Sequence, residues 1–357
     1  MNDSNANNPD GNVIFSGTKE VAENLKFNEA GLQEWFGDNI SSAGKILKIA
    51  QFKGGQSNPT YKITTEKHQF VLRRKPPGIL LPSAHAVDRE YKVMTALQQS
   101  KVPVPQTYGL CEDEEVIGTP FFVMDFLDGN IYWDLLLNDK SPVERSDIYV
   151  SKNNVIAQLH MVDYESVGLF DYGKPGNYIA RQVSRWTKQY IASETQDIPA
   201  MNNLIDWLPS NIPDEDETSI VHGDYRLDNM VFNAKNNVMG VLDWELSTLG
   251  HPIADFNYHC MGWRNIPQLV DEKFCKENGI PTEKEYRDMY SEITGKNLNE
   301  HWEFYTIFNF FKLAGILQGI LGRVRDGTAA SKHAEDRGDQ VIPLAAAAWD
   351  LVEKNYR

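Results

Sequence analysis

Three side chains near the middle of the sequence have the types and spacing that phosphoryl transfer requires. Asp224 is followed five residues later by Asn229, and Asp243 comes at the end of the next apolar run. A carboxylate at the first position can orient a hydroxyl for attack on a phosphate. An amide oxygen and a second carboxylate can hold Mg²⁺ against nucleotide phosphates. The pattern therefore predicts a site at which a phosphoryl group is moved.

The segments around these residues predict a rigid support for them. A short apolar strand leads into the loop that holds Asp224, and residues 229–233 and 238–242 predict two further strands joined by a turn. Strands on both sides of the loop would hold its side chains near one another. Arg226 also lies in this loop, where its charge could stabilise a transferring phosphoryl group or pair with Asp228.

The first third of the chain predicts a small antiparallel sheet. Apolar runs of strand length occur at residues 46–52, 61–65, 70–73, 107–110 and 120–126. Apolar residues at helical spacing predict one main helix between the third and fourth strands, over residues 84–99. We expect these elements to form a five-stranded lobe over residues 21–126, after a disordered polar tail over residues 1–20.

Two features of this lobe could serve a nucleotide. The glycine-rich turn at residues 54–59 could bring backbone N–H groups close to phosphates, although most such turns only reverse the chain. Glu90, on the predicted helix, is either a solvated carboxylate or the ion-pair partner of Arg73 or Arg74 on the neighbouring strand. The second alternative would aim one guanidinium at the phosphates.

Residues 127–357 predict a larger and mainly helical lobe, so that the expected fold class is α+β. Helical spacing recurs from residue 148 onward, and a shorter helix is predicted to start at residues 133–137. The most apolar long segment, residues 304–324, contains Asn309, Lys312 and Gln318 as well as three glycines. That composition favours a buried core helix over a membrane span.

The composition excludes several partners. The chain has 357 residues and a formal net charge of −15, which argues against nucleic acid or an anionic membrane as the main partner. Three cysteines without a Cys-x-x-Cys spacing indicate reduced thiols and no zinc site. The amino terminus has no basic and apolar segments of a signal peptide. We therefore expect a cytoplasmic protein.

Three sequence motifs occur in an order that resembles that of one superfamily. They are His222-Gly223-Asp224 with Asn229, Leu242-Asp243-Trp244-Glu245, and Gly250-His251-Pro252 with Asp255. Over roughly residues 40–330 the chain resembles the aminoglycoside phosphotransferase and choline kinase superfamily, a branch of the protein-kinase-like fold. The resemblance implies a two-lobe fold, ATP and Mg²⁺ as cofactors, and a small-molecule hydroxyl as the phosphate acceptor.

The resemblance also implies the roles of particular residues. Asp224 would be the catalytic carboxylate, Asn229 and Asp243 would ligate Mg²⁺, and Arg226 would act beside them. The residues implied in nucleotide binding are Ser57, Asn58, Arg73, Glu90, Met124, Asp125 and Leu127. Among these, Arg73 stands where many relatives carry lysine. The adenine would be contacted by Met124, the Asp125 carbonyl and the Leu127 N–H. Asp255 would brace the catalytic loop.

The flanking residues narrow the resemblance. Residues 70–78, and Ala84-His85 with Arg89-Glu90-Tyr91, resemble the kinase-like domains fused to acyl-CoA dehydrogenases in eukaryotes and their free-standing bacterial relatives. This implies a hydroxyacyl-CoA thioester as the acceptor, whose phosphates would need basic residues. The candidates are Arg181, Arg185, Lys188, Arg264, Arg323 and Arg325.

Other functions stay open at this point. An aminoglycoside or another antibiotic is an alternative acceptor, and a non-catalytic nucleotide-binding pseudokinase module is an alternative of another class. The intact Asp224, Asn229 and Asp243 argue against the pseudokinase. Protein kinase activity is disfavoured because the sequence has no Asp-Phe-Gly motif.

Overall fold

The computed structural model describes residues 17–54, 58–78, 85–264, 271–327 and 338–357. The chain divides into two compact units. The first comprises Met1–Tyr172 and Asp224–Ser247, and the second comprises Gly173–Gly223 and Thr248–Arg357. Each unit is described by itself.

In the described residues the strands are, in chain order, β1 Thr18–Lys19, β2 Ile46–Phe52, β3 Thr60–Thr65, β4 Gln69–Arg74, β5 Thr107–Cys111, β6 Phe121–Asp125, β7 Ser219–Val221, β8 Met230–Phe232, β9 Val238–Val241 and β10 Thr248–Gly250. The α-helices are α1 Glu29–Asn39, α2 Val87–Leu97, α3 Glu114–Ile117, α4 Pro142–His160, α5 Tyr178–Ser193, α6 Pro199–Trp207, α7 Pro252–His259, α8 Glu272–Asn278, α9 Glu283–Thr294, α10 Trp302–Arg325 and α11 Val341–Tyr356.

The first unit contains an antiparallel sheet in the order β1-β2-β3-β4-β6-β5. It has six strands, one more than the sequence predicts. The extra strand is β1, in which Thr18 pairs with Phe52 and Lys19 with Gln51. These two residues fall in the predicted disordered tail, and two residues are too few to show the alternating pattern of a strand.

One face of the sheet packs against α1. Leu32 and Phe36 of the helix are buried with Ile63, Phe70 and other inward-facing strand residues. This packing explains the period-2 pattern of the strands, because every second side chain points to the same face. Helix α2 packs elsewhere on the sheet, against β5 and β6.

Helix α4 and the hairpin β8–β9 also belong to the first unit, although the sequence assigns them to a second lobe beginning at residue 127. The chain leaves β6 and immediately bridges to the hairpin, where Asn130 and Phe232 exchange two backbone hydrogen bonds of 2.8 Å. Val241 also donates to the carbonyl of Pro103 at 2.9 Å. These bonds join the hairpin to the sheet part of the chain, so the division into units differs from the predicted boundary at residues 126/127.

The predicted short helix at residues 133–137 is wrong. Asp134 accepts hydrogen bonds from the backbone N–H groups of Leu136 and Asn138, at 2.9 and 3.1 Å. Leu137 has a positive φ of 51°, which ends any helix there. An aspartate side chain that binds the backbone two residues ahead favours a turn over a helix.

The second unit is mainly helical, and α10 is its central element. Helix α10 is long and apolar enough to span a membrane by length and composition, but 72% of its most apolar window is buried inside the protein. It packs against α5, α7 and α11. The predicted core helix is therefore confirmed.

Glycines in α10 allow α5 to approach it closely. A Cβ atom at Gly322 would lie 2.7 Å from the Cβ of Ser193, and one at Gly319 would lie 2.9 Å from the amide nitrogen of Gln189. At Gly319 the amide end of Gln189 could swing away, but at Gly322 the neighbouring atoms include the Ser193 backbone, at 3.2 Å from the added Cβ. Gly322 is therefore the position at which the absence of a side chain sets the distance between the helices.

His251, at the start of α7, is buried in the second unit. Its ring stacks on Tyr305 with a centroid distance of 5.0 Å, and its Nε2 lies 3.2 Å from the Tyr305 hydroxyl. Burial lowers the pKa of His251 to about 4. The folded protein thus favours the neutral imidazole.

We expect His251→Gln to reduce the pH dependence of stability. The histidine titrates near 6.5 when unfolded and near 4 when folded. The contribution of the neutral histidine to the free energy of unfolding is therefore complete above pH 6.5. As the pH falls from 6.5 to 4, up to about 3 kcal/mol of that free energy is lost. Urea unfolding at several pH values measures the free energy of unfolding. His68→Gln, at an exposed position, is the matched control. Parallel pH profiles for the wild type and His251→Gln would contradict the assignment.

Candidate active site

The hairpin β8–β9 brings two of the predicted site residues together. Asn229 directly precedes β8, and Asp243 lies two residues after the end of β9. The Asn229 carbonyl accepts a hydrogen bond of 2.8 Å from the N–H of Leu242, and Met230 pairs with Val241. Because the ladder fixes this register, the two side chains start from neighbouring backbone positions.

Asp224 is linked to the same hairpin through Asn229. The Asn229 amide nitrogen donates to the Asp224 carbonyl at 2.9 Å and to its carboxylate at 3.2 Å. Since the amide nitrogen faces Asp224, the amide oxygen of Asn229 points elsewhere and can serve as a cation ligand. The sequence prediction that these residues lie close together is consistent with this geometry.

Arg226 lies between two carboxylates of the loop. Its Nε is 3.1 Å from the Asp224 carboxylate and its Nη2 is 3.0 Å from that of Asp228. Burial raises the pKa of Asp228, and the charge of Arg226 opposes that rise. The guanidinium is half-exposed, so it can bind a ligand if it gives up its contact with one of the two carboxylates.

Asp243 adopts an unusual backbone conformation. Its φ is 62° and its ψ is 61°, in the left-handed region, before the 3-10 helix Trp244–Leu246. Aspartate tolerates this region better than most residues with a side chain, at a cost of about 1 kcal/mol. The buried indole of Trp244 donates to the Val241 carbonyl at 3.0 Å, which holds the turn in this conformation.

Arg73 connects the sheet to Asp243. Its Nε donates to Glu90 at 3.0 Å and its Nη2 donates to Asp243 at 2.6 Å, while Glu245 lies 3.7 Å away. Arg73 is 8% exposed and Glu90 is 1% exposed. The ion-pair alternative for Glu90 is the one observed, and Glu90 is not a solvated carboxylate.

The charges around Arg73 favour a further cation. Three carboxylates, those of Glu90, Asp243 and Glu245, surround one guanidinium. Burial raises the pKa of Glu90, Arg73 opposes that rise and the carboxylates of Asp243 and Glu245 add to it, so that the pKa lies at about 7. Carboxylate and amide oxygens are the ligands that Mg²⁺ prefers. The donor set of Asp243 and Asn229 therefore fits Mg²⁺.

The neighbouring Arg74 points to the other face of the sheet. It donates to the backbone carbonyls of Ile117 and Leu25, at 3.3 and 2.9 Å, and its guanidinium lies over the ring of Phe27. Adjacent strand residues face opposite sides. Of the two arginines, Arg73 is the one directed at the candidate site.

The residues predicted to meet adenine follow one another at the end of β6. Met124 is buried, and the Asp125 carboxylate accepts a hydrogen bond of 2.7 Å from the Tyr108 hydroxyl. Leu127 packs so closely on the hairpin that a Cβ atom at Gly240 would lie 2.1 Å from its Cδ1. The segment after β6 is thus held against the hairpin that carries Asn229.

The glycine-rich turn is only partly described. Ser57 lies outside the described residues. Asn58 is fully buried, and its side chain binds Glu90 and His85.

Sequence reasoning gave no role to Arg89, which precedes Glu90 on α2. Its Nη2 donates to the carbonyls of Tyr172 and Ser247, at 2.8 and 3.4 Å. The Tyr172 hydroxyl in turn lies 2.6 Å from that of Ser247. Helix α2 therefore holds Arg73 through Glu90 and the segment after Asp243 through Arg89. The position of Arg89 next to Glu90 was the one sequence signal for a role of Arg89, but the partners of both residues are distant in sequence.

In the second unit, Asp255 binds the backbone just before the loop that holds Asp224. Its carboxylate accepts from the N–H groups of His222 and Gly223, at 3.0 and 2.9 Å. These residues immediately precede Asp224 in the chain. The contacts are those expected of a bracing residue.

The fold and the site together define a phosphotransferase with a protein-kinase-like fold. Residues 48–290 match the model of the phosphotransferase enzyme family, and the chain belongs to that family. The expected superfamily and fold class are confirmed.

Solved structures and curated relatives agree with this assignment. A crystal structure from Ralstonia eutropha, named a "putative aminoglycoside phosphotransferase", is 49% identical with a TM-score of 0.85, over 92% of this chain and 99% of that one. A thermostable mutant of aminoglycoside phosphotransferase APH(4)-Ia, in a ternary complex with ADP and hygromycin B, shares the fold at 12% identity, with a TM-score of 0.59 over 90% of this chain and 98% of that one.

Among curated proteins, the chain is similar to acyl-CoA dehydrogenase family member 10 of Mus musculus, at 46% identity over 86% of this chain and 29% of the relative. It is similar to acyl-CoA dehydrogenase family member 11 of Homo sapiens at 40% identity, over 96% of this chain and 45% of the relative. The chain thus spans less than half the length of these relatives.

We expect Gly240→Ala to destabilise the protein by about 0.5–1.5 kcal/mol, because the new methyl group would force the Leu127 side chain off its rotamer and away from the hairpin. The Leu127 N–H is a predicted adenine contact, so a shift of this residue should also lower the affinity for ADP. Urea unfolding and titration calorimetry measure the two effects. Gly37→Ala is the matched control, since a Cβ there meets no atom within 4 Å and should stabilise α1 slightly. Unchanged stability and ADP affinity in Gly240→Ala would refute the packing argument.

Proposed function

We propose that this protein is an ATP- and Mg²⁺-dependent phosphotransferase that moves the γ-phosphate to the hydroxyl of a small molecule. The observation that carries the proposal is the grouping of Asp224, Asn229 and Asp243 on one loop and hairpin, with Arg73 paired to Asp243. A pseudokinase module would have no need of all three.

In this proposal the catalytic loop handles the acceptor. Asp224 orients the attacking hydroxyl and takes its proton late in the reaction. Asn229 holds Asp224 through the hydrogen bonds of its amide nitrogen. Arg226 exchanges one carboxylate partner for the transferring phosphoryl group, where negative charge is greatest.

The nucleotide would be held by the sheet and the segment after β6. Asn229 and Asp243 would hold Mg²⁺, which supplies charge neutralisation of the phosphates when bound. Arg73 would turn its Nη2 from Asp243 toward the phosphates while Nε stays on Glu90. Met124, the Asp125 carbonyl and the Leu127 N–H would contact the adenine. Ser57 would cover the phosphates.

For the acceptor we propose a hydroxyacyl-CoA thioester. A groove of about 600 Å³ along α5 is lined by Arg181, Arg185 and Lys188, together with Ala180 and Ser184. Three cations on one helix face favour a phosphate-bearing ligand and disfavour a polycationic aminoglycoside. The relatives named for acyl-CoA substrates support the same acceptor class.

Two of the other basic candidates are already paired. Arg264 binds Glu283 at 2.6 Å and Glu303 at 3.0 Å, and these glutamates raise its pKa despite burial. Arg325 pairs with Asp326 at 2.8 Å.

In the α5 groove, Arg181 donates to the backbone carbonyls of Gly176 and Lys174. Within the described residues Arg185 and Lys188 form no ion pair with a carboxylate, so these two residues are the stronger candidates for the CoA phosphates.

We propose a cytoplasmic location, in keeping with the three free buried cysteines.

We expect Asp224→Asn to reduce the rate of phosphate transfer by about 10²–10⁴-fold, because the amide cannot accept the hydroxyl proton. Nucleotide affinity should change by less than about twofold. A coupled ADP-release assay and titration calorimetry measure the two quantities. Asp206→Asn, at an exposed position of α6, controls for the loss of one negative charge. Full activity in Asp224→Asn would remove Asp224 from the mechanism.

We expect the double variant Arg185→Ala, Lys188→Ala to raise KM for a hydroxyacyl-CoA about tenfold, with KM for ATP unchanged, because two phosphate contacts are lost. The same variant should not alter KM for the corresponding hydroxyacyl-pantetheine, which has no phosphates. Steady-state kinetics with both thioesters measure the difference.

The matched control is Lys273→Ala, Lys276→Ala, which removes the same charge from exposed positions of α8. Equal effects on both thioesters would overturn the placement of the CoA phosphates. Phosphorylation of aminoglycosides but of neither thioester would select the alternative acceptor.

A further inference from the structure

Asn58 lies at the centre of a buried chain of hydrogen bonds. Its side chain is fully buried. The amide nitrogen donates to Glu90 Oε1 at 2.9 Å, and the amide oxygen lies 3.0 Å from Nδ1 of His85. Both polar atoms of the side chain are therefore committed to protein groups.

The direction of these hydrogen bonds follows from the atoms involved. Glu90 Oε1 also accepts from Arg73 Nε at 3.0 Å, so it serves as an acceptor for two donors. The Asn58 amide nitrogen must then face Glu90, and the amide oxygen must face His85. His85 can satisfy that oxygen only if Nδ1 carries the proton.

This chain of bonds fixes the orientation of Arg73. Glu90 binds Nε and leaves Nη2 for Asp243, at 2.6 Å. If Asn58 were absent, Glu90 Oε1 would lose one of its two donors in a buried environment, where an unsatisfied carboxylate is costly. Glu90 would then be free to reorient, and Arg73 with it.

His85 shows a second sign of constraint. It has a positive φ of 60°, which is unfavourable for a residue with a Cβ atom. Its carbonyl accepts the N–H of Val87 at 2.9 Å, at the start of α2. The strained residue thus joins the helix that carries Glu90 to the turn that carries Asn58.

We infer that Asn58 is a positioning residue: with His85 it fixes Glu90, and through Glu90 it directs the Arg73 guanidinium toward the nucleotide phosphates. This inference rests on the proposed nucleotide-dependent function. It gives the Asn58 side chain a role of its own, beside the expectation that Asn58 belongs to the loop over the phosphates.

A double-mutant cycle on ADP binding tests the inference. Asn58→Ala should weaken ADP binding about tenfold in the wild-type background. In the Arg73→Ala background the same substitution should change the affinity by less than about twofold, because the residue through which Asn58 acts is gone. Titration calorimetry with Mg²⁺ and ADP measures all four affinities. If the two weakening factors multiply, Asn58 acts on the nucleotide independently of Arg73 and the inference is overturned.

His85→Ala provides a second cycle that does not depend on the folding of Asn58→Ala. It removes only the outer hydrogen bond, so it should weaken ADP binding about threefold and have no effect in the Arg73→Ala background. An effect of equal size in both backgrounds would overturn the inference.

Asn309→Ala is the matched control for losing a buried asparagine. Asn309 donates to Ala254 and Asn257 in the second unit, at 3.0 and 2.9 Å. It should lower thermal stability without changing ADP affinity, whereas an equal loss of affinity would show that the Asn58 effect is not specific. Absence of ADP binding by the wild type would overturn both this inference and the proposed function. If the factors by which Asn58→Ala and Arg73→Ala weaken ADP binding multiply in the double variant, the inference alone is overturned.

Discussion

A buried arginine held by carboxylates from different elements is the constraint on which the candidate site depends. Arg73 belongs to β4, Glu90 to α2, and Asp243 to the turn after β9. Removing a guanidinium from water costs several kcal/mol unless its partners are held in good geometry. One buried charge therefore ties together the sheet, its helix and the turn that follows the hairpin β8–β9 of the first unit.

The sequence predicts that Asp224, Asn229 and Asp243 lie near one another because the signals are local. The three residues occur within twenty positions, and the two apolar runs joined by a turn between Asn229 and Asp243 indicate a hairpin. The alternation of strand residues also requires Arg73 and Arg74 to face opposite sides. It does not say which side carries the site, because that depends on where Glu90 and Leu25 lie after folding.

The features that the sequence missed depend on distant partners or on single hydrogen bonds. Asn58 finds Glu90 thirty-two residues away and His85 twenty-seven residues away, so no local pattern marks it as a buried linker. The helix predicted at residues 133–137 is wrong because the Asp134 side chain binds the backbone ahead of it. Apolar spacing alone cannot detect such a bond. The placement of the hairpin in the first unit likewise rests on backbone pairing that no side-chain pattern reveals.

The edges of the sheet bear on the behaviour of the protein at high concentration. On one edge β1 contributes only two residues, and on the other β5 pairs with β6 through a register shift between Thr107 and Gly109. A long, flat edge presents N–H and C=O groups that can template the strand of another molecule. Because β1 pairs with only Gln51 and Phe52 of β2, the rest of that strand forms the edge on its side. The register shift makes the β5 edge the less favourable of the two for pairing with another molecule.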